Sequence, residues 1–399
     1  MGLTTNYKNS AGTDIGSVLV EKSYLIDRYP ELVNTFRFAG LWTWGLNSNG
    51  QLGDNSVTQR NSPVQTVSGG TNWKQVSGGG SYTAAIKTDG TLWTWGWNFY
   101  GQLGDNTANN KSSPVQTVAG GTNWKQVAGG NLHTAAIKTD GTLWLWGFNN
   151  IGQLGNNNVT RQSSPVQTVS GGTNWKLVFN GGYHSAAIKT DGTLWLWGNG
   201  ADGQLGDNTA VRKSSPVQTV SGGTNWKSVA CGRDHTAAIK TDGTLWNWGL
   251  NSNGQLGDNS VTHRSSPIQT VAGGTNWKLV SSGYYHTAAI KTDGTLWLWG
   301  HNNNGQLGDN TITHRSSPIQ TVSGGTNWKS VAGGAGYTAA IKTDGTLWTW
   351  GSNNGQLGDN TTVAKSSPVQ TVSGGTNWKL VAGGGLHTEC IRDDSMDDM

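Results

Sequence analysis

Five histidines, His133, His184, His235, His286 and His387, recur at one position of a series whose two remaining places hold Tyr82 and Tyr337. A ring of imidazoles could hold a metal ion or an anion. Metal ligands must converge on one point, however, and these residues are interrupted by tyrosine and spread along the chain. The expectation is that each histidine holds a loop through a backbone hydrogen bond. His263, His301 and His314 fall in loops without a recognisable partner. The run Gly-Gln-Leu-Gly-Asp-Asn, as in 50–55, offers glycines suited to a phosphate cradle, but no lysine follows and no strand-to-helix context surrounds it. Tight turns with positive φ are the expected role of those glycines. Asp54, Asp105, Asp207, Asp258, Asp309 and Asp359, replaced by Asn156 in the third copy, are expected to form Asx turns. Cys231 and Cys390 are too isolated for a disulfide framework or a zinc site. General acid–base chemistry needs paired, perturbed groups, and the unrepeated Asp202 and Asp234 have no visible partner. No catalytic residue, metal or cofactor is therefore expected.

The aromatic residues are more informative. Of the 22 tryptophans, 21 recur in two motifs, Leu-Trp-x-Trp-Gly and Asn-Trp-Lys, each present seven times. Such strict repetition within strands predicts core packing rather than a sugar-binding platform. Trp97 alone stands outside, in a loop with Phe99 and Tyr100. These three, with Phe148, Tyr183, Tyr284 and Tyr285, are the candidate binding residues, because exposed aromatic anchors commonly carry interface energy.

The elements that position these residues follow from the period. Leu-Trp-x-Trp-Gly begins at Leu41 and returns every 51 residues to Leu347. Internal repetition governs every other inference about such a chain. One unit, from Asn123, contains four short runs suited to strands: NWKQV (A), HTAAIK (B), LWLWG (C) and PVQTV (D). The Asp-Gly between B and C predicts a two-residue type I′ hairpin turn. Pro165 cannot donate a hydrogen bond, so D belongs at a sheet edge. The chain begins its repeats at strand C and ends them at strand B. The two half-units therefore complete one blade, giving an all-β, seven-bladed propeller of four-stranded blades closed by N- and C-terminal strands.

Composition agrees. The 61 glycines, three glutamates and 13% charged residues exclude a helical bundle or coiled coil. A net charge of +4 without a basic run argues against nucleic-acid binding. No segment has the apolar length of a membrane span, and no signal peptide is recognisable. Three regions are expected: an arm over 1–39, a propeller over 40–394 and an acidic tail over 395–399. Within the arm, VLVEKSYLIDRYPELVNTF is compatible with a short helix broken near Pro30, and Tyr24, Leu25, Ile26, Tyr29 and Leu32 are its candidate anchoring residues.

GxxHTAAIKTDG and LWxWGxNxxGQLGDN, in units of about 51 residues, resemble the regulator of chromosome condensation repeat family over 40–394. That resemblance implies a seven-bladed propeller. The eponymous member is a chromatin-bound exchange factor for a small GTPase and carries an inserted wedge, whereas no unit here exceeds 51 residues. The B–C and D–A turns are nearly invariant among the units, and the A–B and C–D loops hold most of the divergence. One face is thus monotonous and the other varied. Variable loops on a fixed scaffold are where specificity resides. An arm plus a display face is similar in layout to appendage proteins of tailed bacteriophages. The leading expectation is a virion protein, joined to other virion or assembly proteins through 1–39 and binding a host surface protein or glycan through the varied face. The alternatives are an intracellular scaffold or exchange-factor-like propeller, and a lectin.

Overall fold

The computed structural model describes residues 3–8, 14–20, 38–67 and 72–394. Seven four-stranded antiparallel sheets each follow the order A-B-C-D. In the second blade these are Trp124–Gly129, His133–Lys138, Leu143–Gly147 and Gln162–Gln167. Each strand A packs beside strand A of the next blade, and the seventh returns to the first, so the ring is closed. Strand D, with its proline, is the outer edge of every sheet.

The closing blade takes A (Trp378–Gly383) and B (His387–Asp394) from the C-terminal end, and C (Phe38–Gly45) and D (Arg60–Gln65) from the N-terminal end. The register runs from Gly45 opposite His387, through Leu41 opposite Ile391, to Phe38 opposite Asp394. Strand C thus starts three residues before Leu41 and reaches into the segment assigned to the arm. Residues Leu3–Lys8 and Asp14–Val20 form a separate antiparallel hairpin. The Val-Leu-Val at 18–20 therefore lies in a strand rather than a helix, as its β-branched residues favour. The rest of the expected helix, including Tyr24, Leu25, Ile26, Tyr29 and Leu32, lies outside the described residues.

The B–C turn differs from the two-residue hairpin expected. Lys87 N–H donates to Thr91 O and Gly90 N–H to Lys87 O, which makes a three-residue loop with Gly90 alone left-handed (φ 81°). Asp89 explains the difference. Its carboxylate accepts from Thr91 N–H at 2.9 Å and Thr91 Oγ1 at 2.7 Å, drawing Thr91 into the turn.

The core lies between blades. Ala84, Ile86 and Leu92 of the first pack on Trp124, Val127 and Trp146 of the second. Each blade also holds an edge-to-face tryptophan pair, such as Trp124 and Trp146 with centroids 6.3 Å apart. Fourteen repeated tryptophans are buried in this way. The first tryptophan of each Leu-Trp-x-Trp-Gly is only half-buried, which corrects the expectation of uniform burial. A lysine covers it instead: Lys138 Nζ lies 4.9 Å from both the Trp144 and the Trp124 ring.

Candidate functional site

The repeated histidines sit at the first residue of strand B, fully buried beneath the A–B loops. Their partners are side chains of the next blade, not the backbone of a loop. His133 Nε2 lies 2.9 Å from Ser185 Oγ, and His184 Nε2 2.9 Å from Thr236 Oγ1. His235 meets Thr287 at 3.0 Å, His286 meets Thr338 at 2.9 Å and His387 meets Thr83 at 3.2 Å. Tyr82 and Tyr337 complete the belt, Tyr82 Oη lying 2.8 Å from Thr134 Oγ1 and Tyr337 Oη 2.9 Å from Thr388 Oγ1. Each hydroxyl also donates to a glutamine carbonyl of the preceding blade, as Thr236 does to Gln204 O at 2.9 Å. A hydroxyl has one proton, so Thr236 must accept from His184, whose Nε2 then carries the hydrogen. Burial pulls the pKa values of His133, His184, His235 and His286 down to about 3, so these four rings are neutral. This belt is structural, and among the described residues no group of three or more potential metal ligands exists.

The Gly-Gln-Leu-Gly loops serve the same seam. Trp95 Nε1 donates to Gln51 O at 2.9 Å, and a Cβ on Gly53 would stand 2.7 Å from Trp95 Nε1. Glycine is required there because the next blade's indole lies against its backbone, not because a phosphate does. The following aspartates form the expected Asx turns, Asp54 Oδ1 accepting from Ser56 N–H at 3.1 Å. Each also faces a cation at the start of strand D, Arg60 at 2.8 Å in this blade. In the second blade both charges are absent together, since Asn156 takes the acidic position and Gln162 the basic one.

Above the belt, the A–B loops form a collar. One backbone N–H of each loop donates to a carbonyl of a neighbouring loop, from Gly80 to Gly130 O at 3.2 Å round to Gly385 to Gly79 O at 3.0 Å. The collar is glycine-rich except at Asn131, Arg233, Tyr284 and Ala335, which occupy one position of the repeat. Tyr284 Oη donates to Asn131 Oδ1 at 2.7 Å although these residues belong to the fifth and second blades, so the bond crosses the axis. Burial pushes the Tyr284 phenol up to about 12, which keeps that donor protonated.

Around this closed centre the varied face carries two aromatic groups. Trp97, Phe99 and Tyr100 pack on one another, and Tyr100 also meets Phe148 of the next blade edge-on at 4.8 Å. Phe99 is 55% exposed, with the Arg161 guanidinium 5.9 Å from its ring. The second group centres on Arg233, which lies 5.8 Å from the Tyr183 ring, 5.4 Å from the Tyr285 ring and 3.5 Å from Asp234, and donates to Tyr285 Oη. The structure therefore sorts the seven candidate aromatics into two clusters, each bridging blades. Arg161, Arg233 and Asn131 went unrecognised in the sequence, where the signal was a long polar side chain at a place other units give to glycine or a loop residue. The loop histidines also have partners. His301 and His314 stack at 4.7 Å, His314 Nδ1 accepts from Asn302 N–H at 2.9 Å, and His263 lies 3.5 Å from Asp202.

Comparison with known proteins agrees with this architecture. The RCC1-like domain family model matches residues 116–396, and the regulator of chromosome condensation repeat model matches 40–86 and 89–137. The ultraviolet-B receptor UVR8 of Arabidopsis thaliana is 32% identical over 317 residues, spanning 77% of this chain and 72% of that protein. The mitochondrial RCC1 domain-containing protein RUG3 of the same plant is 29% identical, spanning 78% of this chain and 77% of its own. Among solved structures, yeast RCC1 (Prp20) bound to Kap60 superposes with a TM-score of 0.79 at 20% identity, covering 91% of this chain and 90% of that one. Human WBSCR16 gives 0.77 at 22% identity over 89% of this chain and 99% of that one. A further structure of Prp20p, from Saccharomyces cerevisiae, is described together with its binding to Gsp1p and histones; its TM-score is 0.78 at 21% identity, over 91% of this chain and 93% of that one. UVR8, RUG3 and Prp20 are cellular proteins of plants and yeast, one of them mitochondrial, which overturns the expected virion location.

Proposed function

The chain belongs to the regulator of chromosome condensation repeat family, and from that premise we propose that it is a non-enzymatic, protein-binding propeller of the cell whose varied face engages a partner. The observation that carries this reading is the Phe99 cluster. A large apolar ring stands more than half exposed on a C–D loop, backed by three aromatic side chains and flanked by Arg161. Aromatic and arginine side chains on a fixed scaffold are the usual composition of an interface centre. The Arg233 cluster, with Tyr183, Tyr284 and Tyr285, extends the same face toward the axis.

A propeller partner is consistent with the family. Prp20p has been described with its binding to Gsp1p and histones, and Prp20 in complex with Kap60. In this chain the units are uniform and no insertion projects from a blade, which favours a scaffold over an exchange factor built around a wedge. A photo-crosslinking residue placed at Phe99 or Tyr285, and separately at Thr142 among the invariant turns, tests the reading in extract of the source cells. Discrete protein adducts are expected from the first two positions. Adducts from Thr142 alone would place recognition on the other face.

A further inference from the structure

The face of invariant turns carries the excess charge of the molecule. Seven basic residues in strand A and seven near the end of strand B lie there, against eight aspartates. The strand-B set is already engaged, each lysine lying over two tryptophan rings as Lys87 does at 5.0 and 4.7 Å. The strand-A set is the lysine of every Asn-Trp-Lys, from Lys74 to Lys379. Each is exposed, and each stands at the bulge of the innermost strand of its blade. Among the described residues only Lys379 has a carboxylate partner, Asp393 at 3.1 Å. Like charges gathered round one axis repel, and their field focuses toward the opening they surround.

That opening leads somewhere. The seven A strands wall an axial cavity of about 520 Å³, with Lys227 and Lys278 in its lining beside Gln75, Gln126, Ser228 and Ser282. At its far end the glycine collar narrows it and the Tyr284–Asn131 bond crosses it. It is a blind cup open toward the invariant face.

We infer that the cup binds a compact polyanion, a small molecule bearing several phosphate groups. The lysine ring neutralises its charge at the mouth, with Lys227 and Lys278 lining the cup. The volume falls within the range of small-molecule sites, roughly 300–1,000 Å³. The closed end suits a compact ligand rather than a threaded chain.

Inorganic tripolyphosphate is the probe, titrated calorimetrically into the full chain. One equivalent should bind, raise the melting temperature, and bind more weakly as salt rises. Replacing two of the ring, K227Q/K278Q, should lower the affinity by about tenfold or more, because both charges line the cup. K227R/K278R should retain it. The comparison K111Q/K213Q removes equal charge from the opposite face at a position where the second blade already has Gln162, and should bind like the parent. Absence of binding by the parent chain overturns the inference. So does an equal loss in K111Q/K213Q and K227Q/K278Q, which would assign the effect to net charge alone.

Discussion

Thr83 of the first blade and His387 of the last meet at 3.2 Å, so the closing junction is made by the same histidine–hydroxyl contact that joins four other pairs of neighbouring blades. Glu389 reinforces this one junction, with Oε1 2.7 Å from His387 Nε2 and 3.2 Å from Thr83 Oγ1, where the six other units have alanine. Closure therefore rests on a strand pairing from Phe38 to Gly45 and on a buried polar latch. Both come from residues after Gly383.

Deleting 377–399 removes the partner of the Phe38–Gly45 strand and leaves an open sheet edge. The truncated chain should unfold at a lower temperature and with less cooperativity, as followed by circular dichroism. Deleting 1–37 spares the closing strand and should leave the melting of the propeller unchanged. If the C-terminal truncation melts like the parent, closure by these strands is wrong.

Thr236 joins two blades through one oxygen, accepting from His184 and donating to Gln204 O. Thr236→Val keeps the shape but leaves the buried His184 donor unpaired, while Gln204 O still accepts from Trp248 Nε1 at 2.9 Å. The expected cost is about 1–3 kcal/mol in chemical denaturation, the cost of one orphaned buried group. A cost no larger than that of an exposed substitution would mean that the belt contributes nothing to the ring.

Acid should weaken the fold early. Burial holds His133, His184, His235 and His286 neutral down to about pH 3, whereas in the unfolded chain they take up protons below about pH 6.5. The unfolded state then binds more protons, so stability falls as pH drops through that window, by up to about 1.4 kcal/mol per pH unit for each histidine. Asp54 and Asp258, whose carboxyls are held below the ordinary value despite burial by hydrogen bonds and the facing arginines, add losses only near and below pH 4. Denaturation midpoints between pH 7.5 and 5 separate the two groups. His184→Tyr, the residue found at Tyr82 and Tyr337, should flatten the decline, and a parent chain indifferent to pH in that range would contradict a neutral belt.

Blade number, strand order, the outer place of the proline strand and the closing blade were all legible in the sequence, because a period of 51 residues and two half-units at the ends admit few arrangements. The belt was not recognised. Its partners lie 52 residues apart, so no single unit contains the contact. Its trace was visible all the same, since the residue after each histidine or tyrosine of the series is threonine or serine. The turn type was missed because Asp-Gly alone does not set loop length, which here depends on Thr91. The aromatic candidates lie in loops, and their grouping depends on how neighbouring blades approach, as Tyr100 and Phe148 show.

The central claim is that the varied face binds protein while the invariant face does not. Calorimetric titration of the partner that crosslinks to Phe99, with parent chain, W97A/F99A/Y100A and T139A/T142A, measures it most directly. The triple substitution should weaken binding by about 2 kcal/mol or more at an unchanged melting temperature, as expected for aromatic anchors. T139A/T142A should lower stability, because Trp144 Nε1 donates to Thr142 Oγ1 at 2.9 Å, and leave affinity intact. A triple variant that melts early yet binds like the parent would show that Trp97, Phe99 and Tyr100 only cap a loop, and the recognition face would have to be sought elsewhere.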